Sequence, residues 1–290
     1  MRQLQDQIAS SVVGAIEPRL RSAETERAIR KPTHSLAAYD LYLRALAKFH
    51  QHTDDGFREA VILVKQALAI DPTYAPAAAL LAYCRIYQRR QGLALSPAEV
   101  AEAAQLARRA IEVGRDDPDT LWMSGVTIAV LAGEHSAAAS AIERSLALNP
   151  NSAHAWMASG FVSCWRNLPG PAIEALNRAI RLSLLDPLGW DFAAGIAWAY
   201  TIEGRYEEAI RWADRCLHER ASHTMALRIR VASCAHLGRL QEARQWLARL
   251  LEVDPGVTIA RVKAFLTMAL SPETLAVYLE GLRKAGLPEG

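Results

Sequence analysis

The segment GRYEEA at residues 204–209 returns as GRLQEA at residues 238–243, which begins 34 residues later (238 minus 204). The same interval separates Trp122 from Trp156 (156 minus 122). A period of roughly 20 to 50 residues is the mark of a chain built from one recurring structural unit. We therefore expect an array of similar units.

Alanine and proline keep the same register. Ala60 precedes Pro72 by 12 residues (72 minus 60), and Ala243 precedes Pro255 by the same interval. Proline cannot continue a helix, so each unit is expected to end at its proline. Glycine accepts positive φ without strain, and it is expected in the turn between the two helices of a unit. The glycines at these turns are Gly133, Gly204 and Gly238.

A period of about 34 residues with Trp, Gly, Tyr, Ala and Pro at set intervals resembles the tetratricopeptide repeat. The family's pattern is matched in two successive repeats by Trp156, Gly160, Ala172 and Ala179, and then by Tyr200, Gly204, Ala209 and Ala213. The resemblance implies an all-α fold, a right-handed α-α superhelical solenoid of helix-turn-helix repeats. It also implies a protein-protein interaction scaffold without catalytic activity.

We read six repeats, at residues 36–72, 75–115, 119–150, 153–184, 187–221 and 224–255. The expected organisation has three parts. Residues 1–35 form an N-terminal amphipathic helix and linker, residues 36–255 form the repeat array, and residues 256–290 form C-terminal capping helices. The capping helices are expected over Val257 to Leu270 and from Ser271 onward, where they cover the last apolar face.

The array has irregular places. A loop is inserted at Gln91 to Leu95, and the sequence SPAE at residues 96–99 then predicts a new helix start with a capping box. Three extra residues around Leu185, Asp186 and Pro187 are expected to widen the turn before the fifth repeat.

The N-terminal segment carries one apolar stripe. Leu4, Ile8, Val12, Ile16 and Leu20 fall every four residues, so they share one face of a helix. This stripe predicts burial against another surface. Residues 2–20 would fill the groove of the same chain or of a neighbour, and a homo-oligomer formed through this helix is one alternative.

The resemblance also locates a ligand groove, lined by the first helix of each repeat. The positions that match the family's groove are mostly apolar and aromatic: Ala79, Tyr83, Met123, Thr127, Met157, Phe161, Ala194, Trp198, Arg228 and Ala232. For Tyr83, Phe161 and Trp198, filling of the core is an alternative reading, because helical arrays bury aromatic side chains readily. An apolar groove suits an amphipathic helix or peptide. The lysines and asparagines of the carboxylate-clamp members have no counterparts here, which argues against acidic chaperone tails.

Composition excludes several classes of protein. The 290 residues are 51% hydrophobic and 22% charged, with a formal charge of +2, too balanced for a nucleic-acid-binding surface. The N-terminus lacks a secretory signal, and no apolar run approaches the roughly 20 residues that span a bilayer. We therefore predict a cytoplasmic protein with neither a nucleic-acid nor a membrane partner.

No catalytic or cofactor motif occurs, and we expect no enzyme activity, no cofactor and no metal. His218 and His223 are five residues apart, so they do not share a helix face as zinc ligands do. The group His50, His52, Asp54 and Asp55 reads as a solvated turn. The four separated cysteines, Cys84, Cys164, Cys216 and Cys234, read as buried hydrophobic residues in a reducing compartment.

A narrower resemblance concerns bacterial signalling proteins. Residues 6–18, 38–46, 149–156 and 278–289 are similar to the tetratricopeptide portion that follows a cyclase or winged-helix domain and a TolB-like domain. This resemblance implies the C-terminal regulatory portion of an adenylate/guanylate cyclase-type protein. The metal-binding aspartates of a cyclase belong to a domain that these residues do not include.

Overall fold

The computed structural model describes residues 36–51, 53–90, 95–183, 189–267 and 270–290. Within these ranges the secondary structure is helical, without strands. The helices, numbered here in chain order, are α1 Ala37–Phe49, α2 Asp54–Ile70, α3 Ala75–Arg90, α4 Pro97–Val113, α5 Pro118–Ala132, α6 His135–Leu148, α7 Ala153–Trp165, α8 Pro169–Leu182, α9 Gly189–Ile202, α10 Tyr206–Glu219, α11 Thr224–His236, α12 Leu240–Val253, α13 Ile259–Leu266 and α14 Pro272–Ala285.

Consecutive helices pack as pairs, and within each compact unit neighbouring pairs contact one another. The helices of a pair contact each other in α1 with α2, α3 with α4, α5 with α6, α9 with α10 and α11 with α12. First helices of neighbouring pairs also meet, as α3 does with α5 and α9 does with α11. The predicted all-α fold of repeated helix pairs is therefore confirmed.

The chain divides into two compact units, and the boundary falls inside α7 between Ala158 and Ser159. The first unit contains α1 to α6 and the start of α7. The second contains the end of α7 and the helices that follow, including α13 and α14. The predicted limits of the three sequence domains are not tested by this division and stay a prediction.

Local sequence explains where helices begin and end. Ser96 accepts a hydrogen bond from the Glu99 amide at 3.2 Å, and the Glu99 carboxylate accepts one from the Ser96 amide at 2.9 Å, so the predicted capping box is confirmed. The second helices α2, α6 and α12 each end two residues before a proline, as the register predicts. Helix α13 begins two residues later than predicted, because Thr258 caps its start by accepting from the Arg261 amide.

The turns within pairs follow the predicted glycines. Gly133, Gly204 and Gly238 have φ of 70°, 74° and 76°. In the turn between α7 and α8, Asn167 takes the same conformation with φ of 59°. Asparagine tolerates the left-handed region better than other residues with a side chain, so it replaces glycine at this turn.

Small residues allow the close crossings inside pairs. A Cβ on Gly160 of α7 would lie 2.5 Å from Leu176 Cγ of α8, so only glycine fits there. Ala172 and Ala209 are fully buried, as expected for the small residues of the repeat pattern. The four cysteines are free and buried, which confirms their reading as hydrophobic core residues.

Several predictions fall outside the described residues: the N-terminal apolar stripe from Leu4 to Leu20, His52, the loop at residues 91–94 and the widened turn around residues 185–187. Among the helices of the described ranges, none combines the length and the apolar character needed to cross a membrane.

Candidate functional site

The predicted groove residues lie on the first helices of the pairs, α3, α5, α7, α9 and α11. We call the surface that these helices form within one unit the first-helix face of that unit. Most of these side chains are buried. Tyr83 is 5% exposed, Met123 2%, Thr127 0%, Met157 3% and Trp198 3%. Phe161 and Arg228 are only half-buried. Whether a ligand contacts these seven residues remains a prediction.

In the first unit, aromatic rings of three first helices pack against one another. Phe49 of α1 lies 5.6 Å from Tyr83 of α3, and Tyr83 lies 5.2 Å from Trp122 of α5, measured between ring centroids. Tyr87 joins the group at 5.1 Å from Phe49. The face of this unit is thus largely filled by its own side chains.

Two histidines extend this aromatic group toward solvent. His154 stacks on Trp122 with ring centroids 5.7 Å apart, and His50 stacks on His154 at 6.3 Å. His50 is exposed and His154 is half-buried. Two stacked imidazoles supply no set of metal ligands, and the described residues contain no group of three or more His, Cys, Asp or Glu suited to a metal ion.

In the second unit, α14 covers the part of the first-helix face that lies on α9 and α11. The ring of Tyr278 meets the ring of Trp198 edge to face, with centroids 4.7 Å apart and an interplanar angle of 85°. Tyr278 is 2% exposed. Its pKa is raised by burial, an effect that the charge of Arg228 and its hydrogen bond to the phenol oppose. Trp198 and Arg228 are therefore both in contact with the chain's own C-terminal helix.

A cavity of about 200 Å³ opens beside this contact. Its walls come from the second unit alone and include Asn167, Trp198, Tyr206, His236, Glu273 and Tyr278. Tyr206 and His236 stack with ring centroids 4.6 Å apart. Burial lowers the pKa of His236, so its imidazole is neutral at neutral pH.

Phe161 of the predicted groove stacks with Trp165, which the sequence analysis did not place in the groove. They lie one turn apart on α7, both half-buried, with stacked rings 6.1 Å apart. Gly195 of α9 leaves room for this pair, since a Cβ there would lie 3.2 Å from Phe161 Cζ.

Buried charged groups in the second unit have structural partners. The guanidinium of Arg230 donates to Asp214 Oδ1 at 2.7 Å and to Glu242 Oε1 at 2.6 Å, and so joins three helices. His223 caps α11, because its Nδ1 accepts from the Ala226 amide at 3.3 Å, while Nε2 faces Asp191 at 3.6 Å. These contacts give the buried side chains of Arg230 and His223 a structural role.

The thiols are unsuited to nucleophilic chemistry. Burial raises the pKa of Cys84 to about 12 and that of Cys234 to about 11, so both stay protonated at neutral pH. Burial also raises the pKa of Cys164.

Sequence reasoning missed the contact that α14 makes with α9. It predicted the helix start at Ser271, and the Ser271 hydroxyl indeed accepts from the Thr274 amide at 3.2 Å. It did not predict that Tyr278 reaches Trp198, which lies on a helix far earlier in the chain. The signal that could have found it was the apolar series Leu275, Tyr278, Leu279 and Leu282, which marks one face of a helix that must be buried.

Comparison with protein families gives one match, in which residues 171–224 fit a tetratricopeptide repeat model. Tetratricopeptide repeats generally serve as protein-protein interaction scaffolds. A search of curated protein sequences gave no match.

Solved structures share the fold. The pilF structure from Pseudomonas aeruginosa has a TM-score of 0.51 and 19% identity, covering 81% of this chain and 98% of that one. A thermophilic tetratricopeptide protein from Thermus thermophilus has a TM-score of 0.51 and 17% identity, covering 69% of this chain and 99% of that one. A chain of the APC/C hetero-tetramer Cut9-Hcn1 has a TM-score of 0.61 and 16% identity, covering 87% of this chain and 46% of that one. Such identities show a common fold alone.

Proposed function

We propose that this chain is a non-catalytic scaffold that binds a peptide or helix of a partner protein on the first-helix face of its second unit. The observation that carries the proposal is the half-buried pair Phe161 and Trp165, whose rings stack on a first helix. Aromatic side chains that are rigid and partly accessible are the usual anchors of protein interfaces. The apolar character of the surrounding face favours an amphipathic segment.

The test is affinity purification from the native cell with a Phe161→Ala/Trp165→Ala double variant. Its matched control is Ile62→Ala/Val113→Ala, which removes two apolar side chains that are 56% and 63% exposed on second helices. We expect the double variant to lose a partner that the wild type and the control both retain. Circular dichroism must show all three proteins folded. A partner retained equally by all three would contradict the proposed face.

The narrower sequence resemblance supports a second proposal, that the chain works as the C-terminal regulatory portion of a bacterial cyclase-type signalling protein in the cytoplasm. Residues 149–156 and 278–289 carry that resemblance. The discriminating observation is a cyclase reading frame fused to this one or adjacent to it. A proposal of self-association through residues 2–20 is tested by light scattering, in which the mass would rise with protein concentration.

A further inference from the structure

The first-helix face of the second unit already holds a helix. Helix α14 packs on α11 and α12, and its Tyr278 ring reaches Trp198 of α9 at 4.7 Å. Two predicted ligand-contact residues, Trp198 and Arg228, are among the residues that it covers. We call the surface formed by Trp198, Arg228, Ala232 and His236 the α14 seat.

The contacts extend along the helix. At the N-terminal end the Thr274 hydroxyl donates to Asn167 Oδ1 at 3.2 Å, and one turn later His236 Nε2 donates to the Val277 carbonyl at 2.9 Å. Further on, Gly281 lies against α11 so closely that a Cβ would be 2.7 Å from the His236 ring and 2.9 Å from the Ala232 carbonyl oxygen. The contacts of α14 with α9 and α11 thus include an aromatic residue, Tyr278, followed three positions later by a glycine, Gly281.

Helix α14 has the pattern of a bound amphipathic helix. Its buried side chains recur every three or four residues, at Leu275, Tyr278, Leu279, Leu282 and Ala285. Glu280, Arg283 and Lys284 point to solvent. A helix that lays such a stripe into an apolar groove is a common mode of peptide recognition.

Local interactions stabilise α14 independently of the array. Ser271 caps its start, Pro272 occupies the first turn, and Gly286 ends it with φ of 101°. Its Arg283 pairs with Glu289 of the C-terminal segment. Among the described residues, no salt bridge joins α14 to α9 or α11, so apolar packing and hydrogen bonds, such as that of His236 to the Val277 carbonyl, hold it in place.

From these observations we infer that the α14 seat is a binding site for an amphipathic helix, that α14 is its resident occupant, and that a partner helix with the same aromatic-x-x-glycine stripe competes for it. This inference rests on the proposed scaffold function and names the chemistry of its partner. The resident helix weakens the binding of a partner, because only the molecules in which the seat is open can bind. The apparent affinity is the intrinsic affinity multiplied by the fraction of such molecules.

The experiment measures binding of a fluorescent peptide of residues 270–290 to the full-length chain by anisotropy. In Gly281→Leu the chain's own helix cannot seat, because the new side chain meets the His236 ring and the Ala232 carbonyl. Glu280→Leu is the matched control, since it places the same side chain at the neighbouring exposed position. We expect Gly281→Leu to bind the peptide on the order of tenfold more tightly than the wild type and Glu280→Leu do.

Specificity is tested with a second peptide in which Tyr278 is replaced by alanine, which should bind Gly281→Leu on the order of tenfold more weakly. If Gly281→Leu does not fold, Tyr278→Ala in the full chain vacates the seat by removing the contact to Trp198. A folded variant that binds no better than the wild type would overturn the inference. Loss of folding in both variants would overturn it too, since α14 would then be an indispensable part of the core.

The peptide-binding test and the affinity purification with the Phe161→Ala/Trp165→Ala variant can fail independently of each other. Peptide binding without a captured partner would support the α14 seat and count against the scaffold proposal. A captured partner without peptide binding would do the reverse.

Discussion

The two units cover the same kind of surface in different ways. In the first unit, Phe49, Tyr83 and Trp122 of successive first helices pack on one another, so the array fills its own face. In the second unit, Trp198 is covered by Tyr278, which belongs to a helix outside the six repeated pairs. A face filled by its own side chains opens only when the unit unfolds. A face covered by a separate helix opens when that helix leaves, which makes the second unit the better candidate for regulated binding.

The largest effect is expected at the aromatic group of the first unit. Phe49 is 4% exposed and contacts several rings, so Phe49→Ala should lower the free energy of unfolding by about 3–5 kcal/mol. Denaturant unfolding measures this loss. Ile62→Ala on α2 is the control, because a side chain that is 56% exposed should matter by less than about 0.5 kcal/mol. Equal losses would mean that the aromatic group does not hold the first unit together.

A smaller effect is expected where α14 crosses α11. Gly281→Ala should destabilise the second unit by about 1–3 kcal/mol, because the Ala232 carbonyl is backbone and yields little. Gly170→Ala in α8 is the matched control, since no atom lies within 4 Å of the added Cβ. There alanine should be neutral or stabilise by up to about 1 kcal/mol. Hydrogen exchange should show faster exchange in α14 of Gly281→Ala with α5 unchanged, and uniform acceleration would contradict a separable helix.

Substitutions of Asn167 test the hydrogen bond at the N-terminal end of α14. Asn167→Gly removes the acceptor for the Thr274 hydroxyl while it relieves the positive φ of 59°, so the net change in stability should be within about 0.5 kcal/mol. Asn167→Ala loses the hydrogen bond and keeps the strained backbone, and should cost about 1–2 kcal/mol. Thermal unfolding distinguishes the two variants. If both are equally destabilised, the side-chain contact to α14 outweighs the backbone conformation.

The repeat register predicted the helix pairs and most of the turns within them. The spacing of alanine, glycine and proline located the helix pairs, because each residue type is required by its local surroundings. Alanine fits close helix crossings, glycine accepts positive φ in the turns, and proline ends a helix. The register assigned Gly133, Gly204 and Gly238 correctly, and it missed Asn167, whose residue type departs from the pattern while its conformation does not. Local rules of this kind act over a few residues, so a single sequence suffices to read them.

The contact between Tyr278 and Trp198 could not be read in this way. The two residues are 80 positions apart (278 minus 198), and no periodicity links them. The apolar stripe of α14 indicates that it is buried, whereas the surface on which it is buried depends on which first helices lie beside one another. The pattern likewise named Phe161 and Tyr83 as equivalent positions, although Tyr83 is 5% exposed and Phe161 is half-buried.

The smallest effect is expected from pH, through His236 at the centre of the α14 seat. Burial lowers its pKa below the ordinary value of 6.5, Lys284 lowers it further, and the Val277 carbonyl and Glu280 oppose this shift. The ring also stacks on Tyr206. A histidine with a lowered pKa takes up its proton more readily once α14 leaves or the unit unfolds. Its contribution to stability is therefore complete above 6.5 and is lost as the pH falls from there toward the lowered value.

Between about pH 7 and about pH 5, the melting temperature of the second unit should decrease more for the wild type than for His236→Gln. Glutamine can still donate to the Val277 carbonyl but does not titrate, so this variant isolates the charge from the hydrogen bond. Binding of the peptide of residues 270–290 to the wild type should change little over the same range, because protonation of His236 weakens the seating of α14 and of the identical peptide alike. If the melting temperatures of the two proteins depend on pH in the same way, His236 does not take up a proton when α14 leaves its seat. Any pH dependence of the seat would then come from another group.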